Sequence, residues 1–578
     1  MNRIFGFAGD IPCRDILLDG LEGMSGEYEM CGMALCDCNG LQQLKAKGGA
    51  CELRKISGAV TDEYTAGIAQ CACAERLAAS VITAPPASDG NCAAVLDKGT
   101  DSFEVLTVSA DASRPIGTDG DLLLSLIPPD EKNRPGIIKK LSELLGSEVG
   151  FAFMFKDECA VYARAGCSGL LVGICERGIC LSSELEAMRP YAKRYFILEE
   201  GESVKITPEK AYAFDVKMKR TKKAYRSFPP PEQLTPAARL GIYACPSGIK
   251  RAFEAVTENG ALDFGSVRYG KRALSGISRI IISGDRELYN AAAYGAYNLE
   301  LMCDIPCLAV HTSELKYEGI CIDKRTLLIL LSRCGEDYDA VAVLKRAELF
   351  GADSLLITDC RYSCLSRRCA SVISTGISNR ERGAGGFPPY AFILALLALY
   401  IGNKKGIISE LYLSVAVKMA ELMPGKISAS LKTSGLGDAA KRMMGAEEII
   451  TTGSAADYPA AREAAEIIRA HAGLRARPHP AGEPERDYKN KAAIAIITGA
   501  QDYRRTLSGL RRMKALGAQV IIITTANLED AMSGFDCVIS VPDSVGVLDS
   551  ITCLCSVLAL AEKIKDLSHS GENPQKAV

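Results

Sequence analysis

The sequence predicts a multidomain protein of the α/β and α+β classes, with a layered N-terminal domain followed by two doubly wound parallel-sheet domains. Three observations predict this. The chain has 578 residues, enough for three or four domains. Residues 227–235 (SFPPPEQLT) divide it, because three consecutive prolines do not fit a helix interior or a central strand. Beyond this stretch, the pattern of buried strand, helix and buried strand occurs twice.

The part before the prolines alternates short strand-like runs with turns. Residues 150–155 (GFAFMF) and 169–174 (GLLVGI) are examples, and only a few helical patterns interrupt them. Such alternation is typical of a mixed layered domain. We assign residues 1–225 to this domain and residues 226–245 to a linker.

The part after the prolines contains an internal repeat. The strand that ends at Ser332 recurs as the strand that ends at Thr498, and the strand that ends at Thr358 recurs as the one that ends at Thr524. Within each copy of the repeat, the two strand ends are 26 residues apart, from 332 to 358 and from 498 to 524. Uninterrupted β-branched runs joined by helices predict parallel strands that are buried on both faces. The predicted boundaries are 246–420 and 421–566 for the two domains and 567–578 for a polar, disordered tail.

Composition excludes several functional classes. The net charge of −2 provides no basic excess for nucleic acid. The longest apolar run, residues 391–401, is too short for a span of about 20 residues, and predicts a buried core helix. The first residues lack the apolar core of a signal peptide, so we expect a cytoplasmic protein without a membrane partner. The 23 cysteines, beside only four histidines, predict reduced thiols in packed cores and no metal site.

The most suggestive loop is residues 332–337 (SRCGED), which leaves a buried strand and starts a helix. Ser332 and Gly335 suit a loop that presents backbone N–H groups to an anion. Glu336 and Asp337 do not suit it, because carboxylates repel a phosphate. A ligand-binding loop and a plain capped turn therefore remain alternatives.

The first loop of the same domain has a similar ambiguity. Asp285 repels an anion and Arg286 attracts one. Arg286 and Arg333 together suit a phosphate or carboxylate. Alternatively, each arginine pairs with a neighbouring acid, Asp285 or Asp337, and the ion pairs fill the pocket.

Several stretches together resemble one known family over nearly the whole chain. Residues 4–9 (IFGFAG) look like its opening, residues 118–127 (TDGDLLLSLI) resemble its TDTEVIAHLI, residues 313–317 (SELKY) resemble its SEFRY, and residues 332–337 stand at its SQSGET. The family is glucosamine-6-phosphate synthase, the isomerising glutamine–fructose-6-phosphate aminotransferase. The resemblance implies an N-terminal-nucleophile-type αββα glutaminase-like domain, a type 2 glutamine amidotransferase, followed by two sugar isomerase (SIS) domains.

The residues that the resemblance places in the glutaminase centre differ from the family's. Asn2 stands at the nucleophilic cysteine, and an amide cannot attack glutamine. Cys13 and Cys31 cannot replace that cysteine, since neither carries a free α-amine. Ala72 stands at the arginine that holds the glutamine carboxylate, and Asp97 stands in the oxyanion element, where a negative charge opposes the chemistry. Of the implied glutamine ligands, Asp119 is retained.

The synthase half shows the same losses. The family's Gly-Thr-Ser is Gly284–Asp285–Arg286 here, and Glu463 matches one catalytic glutamate. The catalytic lysine falls on Ile467, the second glutamate on Ala470 and the ring-opening histidine on Arg486, which cannot exchange protons near neutral pH. No catalytic set is intact.

The first interpretation is a degenerate homologue without glutaminase or synthase activity. It would bind a sugar phosphate or regulate a protein partner, as a homodimer without cofactor. The alternative is an enzyme on a phosphosugar, an isomerase or lyase or a residual aminotransferase. The candidate ligand residues on either view are Ser332, Arg333, Cys334, Gly335, Asp337, Arg286, Glu463 and Asp119.

Overall fold

In the computed structural model the chain divides into two units, Met1–Gln233 and Leu234–Val578. The predicted domain boundaries at 225, 245, 420 and 566 stay predictions. The structure describes residues 2–24, 28–37, 40–58, 63–73, 79–97, 118–128, 133–145, 149–229, 244–265, 267, 271–317, 319–377, 386–481, 487–499, 503–525 and 532–569.

The first unit is built from two seven-stranded antiparallel sheets with helices outside them. One sheet has the order β11-β9-β10-β1-β4-β2-β3 and the other β14-β13-β12-β8-β7-β6-β5. One apolar cluster combines Ile4 and Ile68 of the first sheet with Val95 and Val161 of the second, so the sheets pack face to face. Two further clusters join the outer faces to helices. The strands are β1 Arg3–Gly9, β2 Met30–Cys36, β3 Leu41–Lys47, β4 Ala66–Ala72, β5 Ala87–Ser88, β6 Cys92–Leu96, β7 Phe151–Phe155, β8 Val161–Arg164, β9 Leu170–Cys175, β10 Gly178–Ser182, β11 Ala192–Leu198, β12 Ser203–Ile206, β13 Ala211–Phe214 and β14 Arg220–Thr221. The helices are α1 Arg14–Glu22, α2 Ala50–Ser57, α3 Asp119–Ser125, α4 Arg134–Leu145 and α5 Leu185–Met188.

The second unit contains two five-stranded parallel sheets, as the repeat predicted. Their orders are β18-β17-β19-β20-β21 and β23-β22-β24-β25-β26. Equivalent strands therefore hold equivalent places, and the parallel α/β architecture is confirmed. The strands are β15 Thr257–Glu258, β16 Ala261–Leu262, β17 Arg279–Ser283, β18 Cys307–Val310, β19 Thr326–Leu331, β20 Asp353–Thr358, β21 Ser371–Ser374, β22 Glu448–Thr452, β23 Ala476–Pro478, β24 Lys491–Ile497, β25 Gln519–Thr524 and β26 Cys537–Ser540.

The helices of the second unit cover these sheets. They are α6 Cys245–Ala255, α7 Lys271–Gly276, α8 Glu287–Cys303, α9 Thr312–Leu315, α10 Tyr338–Leu349, α11 Cys364–Arg368, α12 Phe387–Lys405, α13 Glu410–Glu421, α14 Met423–Ser430, α15 Leu436–Met444, α16 Asp457–Ile467 with a π-helical turn Ile468–Ala472, α17 Tyr503–Ala515 and α18 Gly546–His569. Since α18 continues to His569, the first three residues of the predicted tail are helical. Residues 570–578 lie outside the described ranges.

Helix α12 contains the longest apolar run and is longer than that run. Pro388 and Pro389 lie in its first turn, where a missing N–H costs nothing, and Gly406 ends it at φ +81°. Among the helices described, only α12 has the length and composition needed to cross a membrane, and 83% of its apolar window is buried inside the protein. The prediction of a buried core helix is confirmed.

One cysteine prediction was wrong. Twenty-one of the described cysteines are free thiols, but Cys159 is disulfide-bonded. The spacing of the cysteines gave no sign of this bond, because a pairing depends on which loops the fold brings together. Within the described ranges, no group of three or more His, Cys, Asp or Glu side chains could hold a metal ion.

Candidate functional site

Ligands of an open parallel sheet bind beyond the carboxyl ends of its strands. In the first sheet, β17, β19 and β20 are neighbours, and they lead into residues 284–286, 332–337 and 359–363. We call the space bounded by these three loops the first crevice. It contains most of the site residues that the sequence predicted.

Asp285 turns its carboxylate towards helix α9. Oδ1 accepts the backbone N–H of Thr312 at 3.0 Å and that of Ser313 at 3.4 Å, and His311 Nδ1 lies 3.6 Å away. Asp285 therefore accepts hydrogen bonds from the amides at the amino end of the short helix α9, and its carboxylate is turned away from Arg286. The side chain of Arg286 is exposed, its backbone has φ +52°, and it makes no ion pair within the part of the chain described.

The loop 332–337 is held by bonds among its own residues. Ser332 Oγ donates to Asp337 Oδ2 and accepts the N–H of Gly335 at 2.8 Å. Cys334 Sγ lies 3.5 Å from Asp337 Oδ1. Glu336 is buried and turns away from the loop, accepting the N–H of Cys364 at 2.8 Å. Asp337 therefore contacts two side chains of its own loop, those of Ser332 and Cys334.

Arg333 does not pair with Asp337, and Arg286 does not pair with Asp285, so the alternative in which these two acids form the ion pairs was wrong. Arg333 Nε instead donates to Asp359 Oδ2 at 3.3 Å. Asp359 Oδ1 also accepts Thr375 Oγ1 at 2.6 Å and Tyr390 OH at 3.0 Å. Burial, together with the charge of Asp359, raises the pKa of Tyr390 well above its usual range, so its hydroxyl remains a donor.

Sequence reasoning missed Asp359 and His311, although one signal pointed to Asp359. Asp359 follows β20 directly, so the rule that identified the loops after β17 and β19 applies to it as well. His311 carried no such signal, because it reaches the crevice from the end of β18. Its ring stacks on Tyr289, with 3.7 Å between ring centroids and 10° between planes.

Glu463 reaches this region from α16 in the second half of the unit. Glu463 is 4% exposed, and its Oε2 accepts a hydrogen bond from Asn290 Nδ2 at 2.8 Å. The neighbouring Arg462 lies over the ring of Tyr289, 4.8 Å from its centroid. Asn290 lies near the start of α8, which follows the loop that carries Asp285 and Arg286. Its hydrogen bond therefore places Glu463 close to that loop.

The other predicted catalytic positions give no acid–base group. Ile467 is buried and apolar, and Ala470 lies exposed on the π-helical turn. Arg486 lies outside the described residues. Of the predicted positions on α16 and this turn, only Glu463 carries an acid.

The N-terminal positions form a buried ionic network in the first unit. Arg3 Nε pairs with Glu184 Oε1 at 2.9 Å, with the Arg3 side chain 3% exposed. Asp97 Oδ1 accepts Ser183 Oγ at 3.1 Å, and Ser183 Oγ in turn accepts the N–H of Ile4. Burial raises the pKa of Asp97, while the nearby Arg3 charge opposes that rise. Charged side chains therefore occupy this end of β1.

The remaining N-terminal positions lie on neighbouring elements. Arg3 is the register partner of Cys71, which puts Asn2 next to Ala72 across β1 and β4. Asp119 begins α3, where Thr118 and Asp121 form a capping box. Asn2 carries an amide and Ala72 a methyl group at these two positions.

Comparison with known proteins is consistent with this architecture. The SIS domain family matches residues 273–401, which include β17 to β21 and the first crevice. The sequence is 24% identical to the isomerizing glutamine–fructose-6-phosphate aminotransferase of Thermus thermophilus over 98% of this chain and 96% of that protein. It is 26% identical to the protein of the same name from Bacteroides thetaiotaomicron, over 98% of this chain and 97% of that protein.

A solved structure is similar in fold. It is the C-terminal domain of glucosamine-fructose-6-phosphate aminotransferase from Francisella tularensis, with a TM-score of 0.52 and 20% sequence identity. The likeness covers 57% of this chain and 95% of that structure. The chain therefore contains a SIS domain and resembles glutamine–fructose-6-phosphate aminotransferases over almost its whole length.

Proposed function

We propose that the chain binds a sugar phosphate in the first crevice and acts as a binding or regulatory protein without glutaminase or synthase activity. The names of its relatives support fructose 6-phosphate as the first ligand to test. On this proposal, the first unit is an amidotransferase-like domain that has lost its chemistry, and the two parallel sheets belong to two SIS domains.

The proposal depends on one contrast. The two acids of the first crevice have hydrogen-bond partners, whereas Arg286 has no ion pair in the described structure. Asp285 is engaged by the amides of α9 and Asp337 by Ser332, so the crevice's own donors partly offset both negative charges. Arg286 is exposed beside them without an ion pair in the described structure. A guanidinium presents a rigid fork of donors that matches a phosphate in two places. Arg286 is therefore the group that we expect to hold the phosphate.

The loss of catalysis is supported by several independent positions. Asn2 cannot form an acyl intermediate, and Asp97 adds negative charge where an oxyanion would need donors. Removing even one oxyanion donor costs roughly 10²–10³ in rate. Ile467 offers no proton-transfer group, and Glu463 is buried with its carboxylate bonded to Asn290. One such change could be compensated by a neighbour, but the combination could not.

Calorimetric titration with fructose 6-phosphate and then glucosamine 6-phosphate tests the proposal. We expect a dissociation constant in the micromolar range for the intact chain, and a roughly tenfold weaker one for Arg286→Gln, about 1.4 kcal/mol for a lost charged contact. Arg325→Gln is the matched control. Arg325 is also exposed, but it lies at the amino end of β19, the opposite edge of the same sheet. No heat with millimolar ligand, or equal weakening by both variants, would contradict the proposal.

Turnover assays separate this function from the enzymatic alternative. We expect no ammonia from glutamine and no conversion of fructose 6-phosphate. Conversion that disappears in Glu463→Gln would instead favour an isomerase or lyase.

We further propose that the chain forms a homodimer, the commonest symmetric assembly. Three apolar side chains on and just after α13 are exposed and support an interface at this helix; they are Leu411, Val415 and Leu422. Light scattering at micromolar concentration should give twice the mass of one chain, and a monomer would refute this expectation.

A further inference from the structure

A cavity of about 110 Å³ lies at the carboxyl end of the second parallel sheet. Its walls include residues 454–457, which follow β22, and Thr498, which follows β24. In the internal repeat, these positions correspond to the loops that bound the first crevice. We call this space the second cavity. The second cavity is separate from the first crevice, and its lining residues differ in chemistry from those of the first crevice.

The second cavity presents a buried carboxylate. Asp457 is 7% exposed; its Oδ2 accepts the N–H of Thr498 at 3.1 Å and Thr498 Oγ1 at 3.2 Å, and Oδ1 accepts Ser550 Oγ at 2.7 Å. All three donors are neutral, and within the described chain no cation pairs with Asp457. A carboxylate has about four acceptor positions, so it has room for one more donor.

A second acceptor lies in the same wall. Asn298 is 1% exposed, and its Nδ2 donates to the backbone oxygen of Tyr294 at 2.9 Å. Asn298 lines the cavity. Because its amide nitrogen is engaged by the backbone, its side-chain oxygen is the atom that can accept an N–H or O–H group from a ligand.

Apart from Ser454, the remaining lining is aromatic or apolar, and no lining residue carries a positive charge. Tyr297 and Tyr412 are the aromatic members, beside Leu301, Met302 and Val547. Asp549, nearby on α18, adds a second negative charge. A phosphate is therefore disfavoured here, whereas a cation gains from the carboxylate and from the faces of aromatic rings.

We infer that the second cavity binds the ammonium group of a small organic amine, with Asp457 as its counter-ion and Asn298 as a further acceptor. Tyr297 and Tyr412 enclose the attached carbon chain. A cavity of about 150 Å³ accommodates benzene, so the volume of about 110 Å³ here suits about four or five non-hydrogen atoms. The inference does not depend on sugar-phosphate binding in the first crevice.

The test compares butylammonium with 1-butanol, two probes with five non-hydrogen atoms that differ in charge. Ligand-observed saturation-transfer NMR on the full chain at pH 7.5 gives the affinity of each. We expect butylammonium to bind at least tenfold more tightly than 1-butanol. Asp457→Asn should reduce this preference to less than threefold, and Tyr412→Ala should weaken both probes.

Asp549→Asn is the matched control, because it removes a nearby carboxylate that does not line the cavity. It should keep most of the preference for the amine. Circular dichroism verifies that each variant is folded. Equal binding of both probes to the unmodified chain would overturn the inference, and so would a preference that survives in Asp457→Asn or is lost to the same extent in Asp549→Asn.

Discussion

Replacing Gly335 with alanine is expected to destabilise the second unit by about 2–4 kcal/mol and to abolish sugar-phosphate binding in the first crevice. Gly335 has φ +67°, a conformation that costs an L-residue about 1 kcal/mol or more. A Cβ built on it would lie 1.9 Å from Ser363 Oγ and 2.4 Å from Ser363 Cβ. The loop or the start of α11 must therefore move, and overpacking of this kind costs about 1–3 kcal/mol.

Guanidinium chloride unfolding followed by circular dichroism measures this loss. Gly351→Ala separates the backbone cost from the clash, since Gly351 has φ +70° but the nearest atom to an added Cβ is 3.9 Å away. We expect this control to lose only about 1 kcal/mol. Equal losses in the two variants would show that the contact with Ser363 does not matter.

A double variant tests the same contact directly. Ser363→Gly removes the atoms that an alanine at 335 would meet, so Gly335→Ala should cost less in that background than in the unmodified chain. The difference is the coupling energy of the two positions. A coupling near zero would contradict the steric explanation.

The fold was predictable because its signals are local and repeated. The continuous apolar runs at residues 326–332 and 493–498 are typical of strands buried on both faces, and the equal spacing of the following strands identified the repeat. The loops after β17 and β19 followed from the same pattern. The partners of the charged residues could not be predicted in this way. Arg333 pairs with Asp359, which follows the neighbouring strand, and Asp285 accepts hydrogen bonds from the amides of α9. Such pairings depend on side-chain directions that neither periodicity nor spacing specifies.

The second cavity shows the same limit. Asp457 stands at the start of a helix in the sequence and would ordinarily be interpreted as a surface cap. Its burial becomes evident only when α18 brings Ser550 to its carboxylate and α8 brings Asn298 to the same space. These helices lie far apart along the chain, so no local pattern joins them.

Replacing Asp457 with asparagine is expected to stabilise the second unit at pH 7.5. Burial raises the pKa of this carboxyl from 3.8 to about 6, against the hydrogen bonds of Thr498 and Ser550, which lower it. Compared with the unfolded chain, the folded state therefore favours the protonated form of Asp457. The associated stability is fully present below the unfolded pKa near 4 and is lost as the pH rises through 6. Since one pKa unit corresponds to about 1.4 kcal/mol, the ionised group costs up to about 3 kcal/mol at neutral pH.

The isosteric amide can keep the local bonds without the charge. Its oxygen accepts from Thr498, and its nitrogen donates to Ser550 Oγ, whose hydroxyl can rotate. We expect Asp457→Asn to exceed the unmodified chain by about 1–3 kcal/mol at pH 7.5 and by much less at pH 4.5. Guanidinium chloride unfolding at both pH values measures the free energy of unfolding of each chain. Subtracting the value of the unmodified chain from that of the variant removes the contributions of Asp549 and of other groups common to both chains. A variant that is less stable at pH 7.5 would mean that the donors around Asp457 stabilise its charge by more than burial costs, and the carboxylate would then be a structural anchor of this loop.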